Sequence, residues 1–122
     1  EDIDLSYRAW KNGYTILFDP KVELEHYHGS TIDEYFTPKT VKTIAYRNQF
    51  LFVWKNITSF SLNVDHILRL PLNLLITIAK GDPLLTKGFL SALKRKMSRL
   101  AKKNSYSSTG IYTDQQILDR FK

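Results

Sequence analysis

With 122 residues, 43% of them hydrophobic and 13% aromatic, the chain fits one small domain or part of a larger one, and its apolar content excludes wholesale disorder. Zero cysteines exclude a disulfide frame and a thiolate zinc site, and fit a reducing compartment. The formal charge of +6 is uneven: Lys94, Arg95, Lys96, Arg99, Lys102 and Lys103 crowd one late segment, while Glu1, Asp2 and Asp4 make the start acidic.

That acidic start reads as the first turn of a helix over residues 2–12. Carboxylates there face the positive end of the dipole, and Gly13 stands where a left-handed cap is wanted. Ile3, Tyr7 and Trp10 fall at helical spacing and form the expected buried stripe. A natural protein does not begin with glutamate at a helix mouth, so the chain is expected to be the back portion of a longer one. Tyr14 to Phe18 is β-branched and aromatic, Asp19-Pro20 signals a turn, and Val22 to His26 alternates. The pattern predicts a hairpin or two adjoining short strands.

Thr37-Pro38 predicts a helix start, with threonine as N-cap and proline at the first helical position, running to about Asn56 and burying Val41, Ile44, Ala45 and Phe52. Ser61 to Ala79 predicts an apolar helix, which Pro71 should kink or divide at a cost of roughly 3 kcal/mol unless packing compensates. Its most apolar window, Ile67 to Ala79, contains Arg69, Pro71 and Asn73 and is shorter than the roughly 20 apolar residues of a bilayer span, so no crossing is expected. Asp82-Pro83 caps a further helix reaching about Lys103. Asn104 to Gly110 reads as a linker, and Thr113-Asp114-Gln115-Gln116 as a capping box before a closing helix through Phe121. The expected layout is a small α/β piece followed by a helical extension, with a boundary near residues 30–37.

Two clusters have the residue types of a reactive site. Glu1, Asp2 and Asp4 stabilise a helix dipole by about 0.3–1 kcal/mol each, and the same carboxylates at a cleft would serve as a general base and its supports. His26 and His28, two apart in an extended segment, face one side. They are ordinary strand-edge residues or, as neutral imidazoles, metal ligands; alone they do not complete a metal site.

Glu1-Asp2-x-Asp4-Leu5-x-x-Arg8, then Gly13, Pro20 ending a strand, and His26 followed by Gly29-Ser30, resembles the C-terminal portion of a family 2 bacterial glycosyltransferase, rhamnosyltransferase-like. Tyr46-Arg47-Asn48-Gln49-Phe50 with Phe52 and Trp54-Lys55-Asn56 looks like the helix after the catalytic domain in such enzymes, and Thr113 to Leu118 like their closing helix. The resemblance implies an α/β fold, the end of a GT-A nucleotide-diphospho-sugar transferase domain (helix plus short β-hairpin) over residues 1–36, and a helical C-terminal extension over 37–122. It implies Asp2 as the catalytic base, and Glu1 and Asp4 shaping the acceptor side. Arg8 is expected to hold the acidic cluster or helix in place. His26 is expected at the metal ion, with His28 as the second choice for metal or phosphate, and Mg²⁺ or Mn²⁺ as cofactor. The nucleotide-binding half and the metal-binding Asp-x-Asp of such enzymes precede the Glu-Asp pair, so these residues alone are not expected to transfer sugar.

The implied reaction moves a sugar from a nucleotide-sugar donor to a hydroxyl of a glycan or lipid-linked acceptor, with inversion, in cell-surface polysaccharide biosynthesis. The expected location is cytoplasmic, with peripheral contact to an anionic membrane on its inner face. In the late basic helix Leu90, Leu93, Met97 and Leu100 form an apolar stripe flanked by cations, as in surface-lying helices and also in a packed helix with a solvated face. The alternative function is therefore a non-enzymatic basic helical module docking on a membrane or protein partner. Nucleic acid is not an expected partner, because the aromatics cluster in the middle helix away from the basic residues and no nucleic-acid motif occurs.

Overall fold

The computed structural model describes residues 2–23, 34–100 and 110–121. The elements are α1 (Asp2–Lys11), α2 (Pro38–Asn56), α3 (Phe60–Ala79), α4 (Leu84–Leu100) and α5 (Asp114–Leu118), which continues into a 3₁₀ turn, Asp119–Phe121. Among the described residues there is no strand. This overturns the expected α/β architecture and its β-hairpin: the molecule is helical. Residues 14–23 run without regular structure, and Leu24 to His26 lie outside the described residues. Alternation and β-branched residues suit a pleated strand only where a neighbouring strand supplies the hydrogen-bond ladder. Tyr14, Leu17 and Phe18 are all exposed and meet no such neighbour among the described residues.

The helix ends follow from local chemistry. Gly13 takes φ 85°, its N–H donates to the Trp10 carbonyl at 3.0 Å, and Tyr14 N–H reaches back to Ala9 at 3.0 Å. This closes α1 in the left-handed conformation that glycine adopts without steric cost. Thr37 caps α2, its hydroxyl accepting from Thr40 N–H at 3.3 Å, with proline at the first helical position. Asp82 Oδ1 accepts from Leu84 N–H at 3.1 Å ahead of α4, and Lys42 of α2 pairs with the other oxygen at 2.6 Å. Thr113 and Gln116 make the reciprocal capping box of α5.

The main packing is α2 against α4. Gly88 makes it possible: a Cβ there would lie 2.6 Å from Tyr46 Cβ and 3.1 Å from the Thr43 carbonyl, so the two helices approach with backbone close to side chain. Below this contact Phe50, Trp54 and Phe89 stack edge to face, with Phe50 and Phe89 centroids 5.4 Å apart and Trp54 and Phe89 6.0 Å apart. Phe50 and Ala92 are buried there. The predicted stripes are partly displaced. Ile3 is exposed while Tyr7 is buried, and Ala45 is exposed while Val41, Ile44 and Phe52 are half-buried. A helical stripe read from periodicity runs the whole helix, whereas each partner helix covers only the turns it reaches.

α3 continues unbroken through Pro71 and buries no residue fully. At 20 residues it is long and apolar enough, by length and composition, to cross a membrane; the shorter window read from the sequence omits its first two turns.

Candidate functional site

The acidic end of α1 separates into an open carboxylate and a fixed one. Asp2 is exposed. Two residues on, Asp4 is held from three directions: Arg8 Nε stands 3.0 Å from its Oδ2, Lys55 Nζ 3.1 Å from the same oxygen, and Asn56 Nδ2 donates to Oδ1 at 2.6 Å. Partial burial pushes its carboxyl upward, but the Asn56 hydrogen bond and the Lys55 and Arg8 charges outweigh that and leave it below the usual carboxylate range. Arg8 also donates to the Asp4 carbonyl at 3.3 Å, so it is engaged within the helix.

Behind this end lies a buried polar centre that sequence reasoning missed. Lys11 is 2% exposed and Asp114 1%, and they meet at 2.9 Å. Lys11 Nζ also donates to the Asn56 carbonyl at 2.5 Å and to Thr58 Oγ1 at 2.9 Å, which uses all three ammonium hydrogens. Asp114 Oδ1 accepts from the Tyr7 hydroxyl at 2.5 Å. Its Oδ2 accepts from the backbone N–H of Thr58 at 2.7 Å and of Ser59 at 2.6 Å, and from the Thr58 hydroxyl at 3.2 Å. Burial would raise the Asp114 carboxyl, but the bonds from Tyr7, Lys11, Ser59 and Thr58 bring it down to about 2. The Tyr7 hydroxyl is pushed up, first by burial and then by its bond to the Asp114 carboxylate.

Every oxygen and hydrogen of this ion pair has a partner, so no position is left for a reacting atom. Its chemistry is structural: it binds the end of α1, the link after α2 and the start of α5 to one another. Gly110 lets the chain pass close over this junction, since a Cβ there would lie 2.6 Å from the Lys11 carbonyl, and Tyr112 N–H donates to that carbonyl at 3.1 Å. The sequence signal was slight. Asp114 read as part of a capping box, Lys11 carried no signal of its own, and nothing in local spacing joins residues so far apart.

Of the residues singled out from sequence, Asp2, Asp4 and Arg8 share the first turns of α1. Glu1, His26 and His28 lie outside the described residues. Among the described residues no group of three or more His, Cys, Asp or Glu side chains converges as a metal site would require. Asp4, the most enclosed carboxylate of the acidic end, is already saturated by cations and an amide, so the described residues do not form a cradle for Mg²⁺ or Mn²⁺.

A second feature lies between α2, α3 and the start of α4. It is an open cleft of about 320 Å³ with Phe50, Val53 and Leu62 among its apolar walls and His66, Arg69 and Asn73 among its polar ones. His66 Nε2 is buried without a hydrogen-bond partner, while Arg69 is tied to Asp65 at 2.6 Å. Comparison with protein-family models, with curated proteins and with solved structures finds no match in any of the three.

Proposed function

We propose that the chain is the C-terminal part of a family 2 glycosyltransferase that moves a sugar from a nucleotide-sugar donor to a glycan or lipid-linked acceptor hydroxyl, with inversion, in cell-surface polysaccharide synthesis. The observation that carries this reading is the division of labour at the acidic end of α1: Asp2 is open to solvent while Asp4 is fixed by Arg8, Lys55 and Asn56. A general base must be free to reach a substrate proton, and its surroundings must hold their geometry.

In this reading Asp2 accepts the proton of the acceptor hydroxyl as that oxygen attacks the anomeric carbon, and the bond to the nucleoside diphosphate breaks on the opposite face. The anchored Asp4 keeps the helix mouth in register with the acceptor. A divalent ion would neutralise the leaving diphosphate when bound. The described residues do not hold such an ion, and His26 lies outside them. The place of action is the cytoplasm, with peripheral contact to the inner face of an anionic membrane.

The test is nucleoside-diphosphate release by the longer protein that contains these residues. Asp2→Asn removes a proton acceptor without changing shape, and turnover falls roughly 10²–10⁴-fold while donor binding persists. Full turnover in that variant refutes the assignment. The isolated chain is expected to be inactive.

A further inference from the structure

A helix on the surface of a globular domain turns its polar side to water; α3 does the reverse. Phe60 is 83% exposed and Leu68 73%, and Ile67, Leu72, Leu75 and Ile78 are exposed with them. At about 100° per residue these six positions fall within an arc of about 140°. The opposite side of α3 carries Leu62, His66, Leu70 and Asn73, which line the cleft against α2. The charged side chains of α3, Asp65 and Arg69, neutralise each other at 2.6 Å and lie outside the apolar arc, where they line the cleft. A contiguous apolar face of this kind on a folded domain marks an interaction surface.

We propose that the outer face of α3 lies in the surface of an anionic lipid bilayer as an in-plane anchor, with the helix axis parallel to the membrane. Three observations select lipid over a protein partner. The arc is aliphatic apart from Phe60 and Ser61 and has no tyrosine, tryptophan or arginine within it, whereas protein hot spots concentrate those residues. Its one hydrogen-bonding side chain, Ser61, sits in the first turn of α3 and pairs with Ser59 at 3.0 Å, so the rest of the arc offers no polar partner, which acyl chains do not require and protein interfaces use throughout. The chain's net charge is +6, and Lys80 follows α3 directly while Lys87, Lys94 and Arg95 lie on α4, which complements anionic headgroups. Crossing the bilayer would strip α3 from the cleft it closes with α2, so the helix lies flat. This places the insertion on α3, with the basic residues that follow it acting through charge. The inference extends the peripheral-contact element of the proposed function and does not depend on sugar transfer, so the two fail separately.

Flotation of the 122-residue chain with vesicles tests it, using phosphatidylglycerol mixed with phosphatidylcholine, and phosphatidylcholine alone. The chain is expected to float with the anionic vesicles and only weakly with the neutral ones. The double variant Leu72→Glu/Leu75→Glu, at two exposed positions, should lose at least about tenfold in partition with unchanged far-UV circular dichroism and a monomeric elution volume. Leu68→Trp should show a blue-shifted emission on anionic vesicles, a readout that stands even if the double variant misfolds. The proposal is overturned if the parent chain stays unbound, if the glutamate variant floats like the parent, if the Leu68→Trp emission does not move, or if the parent is a lipid-independent dimer that the glutamates dissociate.

Discussion

Replacing Asp114 by asparagine should cost the fold more than any surface change. The carboxylate takes hydrogen bonds from Tyr7 and Lys11 on one oxygen and from Thr58 and Ser59 N–H on the other. An amide offers one acceptor and one donor. With its NH₂ toward Thr58 and Ser59 it opposes two backbone donors, and flipped it opposes the Lys11 ammonium, which cannot accept. In either orientation Lys11, 2% exposed, loses its counter-charge. Removing one member of a buried ion pair costs about 3–5 kcal/mol, and because Lys11 keeps the Asn56 carbonyl and the Thr58 hydroxyl, the lower end, about 3 kcal/mol, is expected. That is a large share of the 5–15 kcal/mol over which domains are typically stable. Urea unfolding followed by far-UV circular dichroism gives the difference from the midpoint and slope. The paired apolar replacement Lys11→Met/Asp114→Leu leaves no charge behind but should not recover the loss, since it strips the Thr58 and Ser59 N–H, the Tyr7 hydroxyl and the Asn56 carbonyl of their partners. A loss below about 1 kcal/mol for Asp114→Asn, the range of an exposed pair, would refute the picture of a closed and desolvated centre.

The same residue sets an acid limit. Asp114 falls from 3.8 to about 2 on folding, so its contribution, about 2 kcal/mol, is complete above about pH 5 and lost as pH drops through 2; Asp4, also lowered, acts in the same direction, and Asp114→Asn should flatten this part of a stability-versus-pH curve. Tyr7 is raised above its ordinary 10.0, so its contribution holds below that pH and is lost at more alkaline values, which Tyr7→Phe should abolish. Gly88→Val should lower stability by about 1–3 kcal/mol by overpacking, because even a Cβ meets Tyr46 at 2.6 Å; a thermal midpoint equal to the parent's would contradict the close approach of α2 and α4.

The helix boundaries were legible because they are written locally. Thr37-Pro38, Asp82, Gly13 and the Thr113–Gln116 box each satisfy backbone groups within a few residues of themselves. What failed depends on a partner. The alternation from Tyr14 onward carries strand propensity, but a strand exists only when another supplies its ladder, and none does among the described residues. The pairing of Tyr7 with Asp114 joins positions 107 apart in the chain, beyond any spacing rule. The apolar periodicity of α3 was visible, yet no pattern within one helix says which side its neighbours cover, and here they cover the side bearing His66 and Asn73. Of the acidic end, the residue types were legible; that Asp4 is fixed while Asp2 is open required the positions of Lys55 and Asn56.

The central claim is that Asp2 acts as the base while Asp4 acts as scaffold, and a paired comparison of Asp2→Asn and Asp4→Asn in the longer protein tests it most directly. Nucleoside-diphosphate release should be nearly abolished by Asp2→Asn at an unchanged melting temperature, whereas Asp4→Asn should lower the melting temperature and leave measurable turnover. Turnover that survives Asp2→Asn and vanishes with Asp4→Asn at full stability would contradict the account.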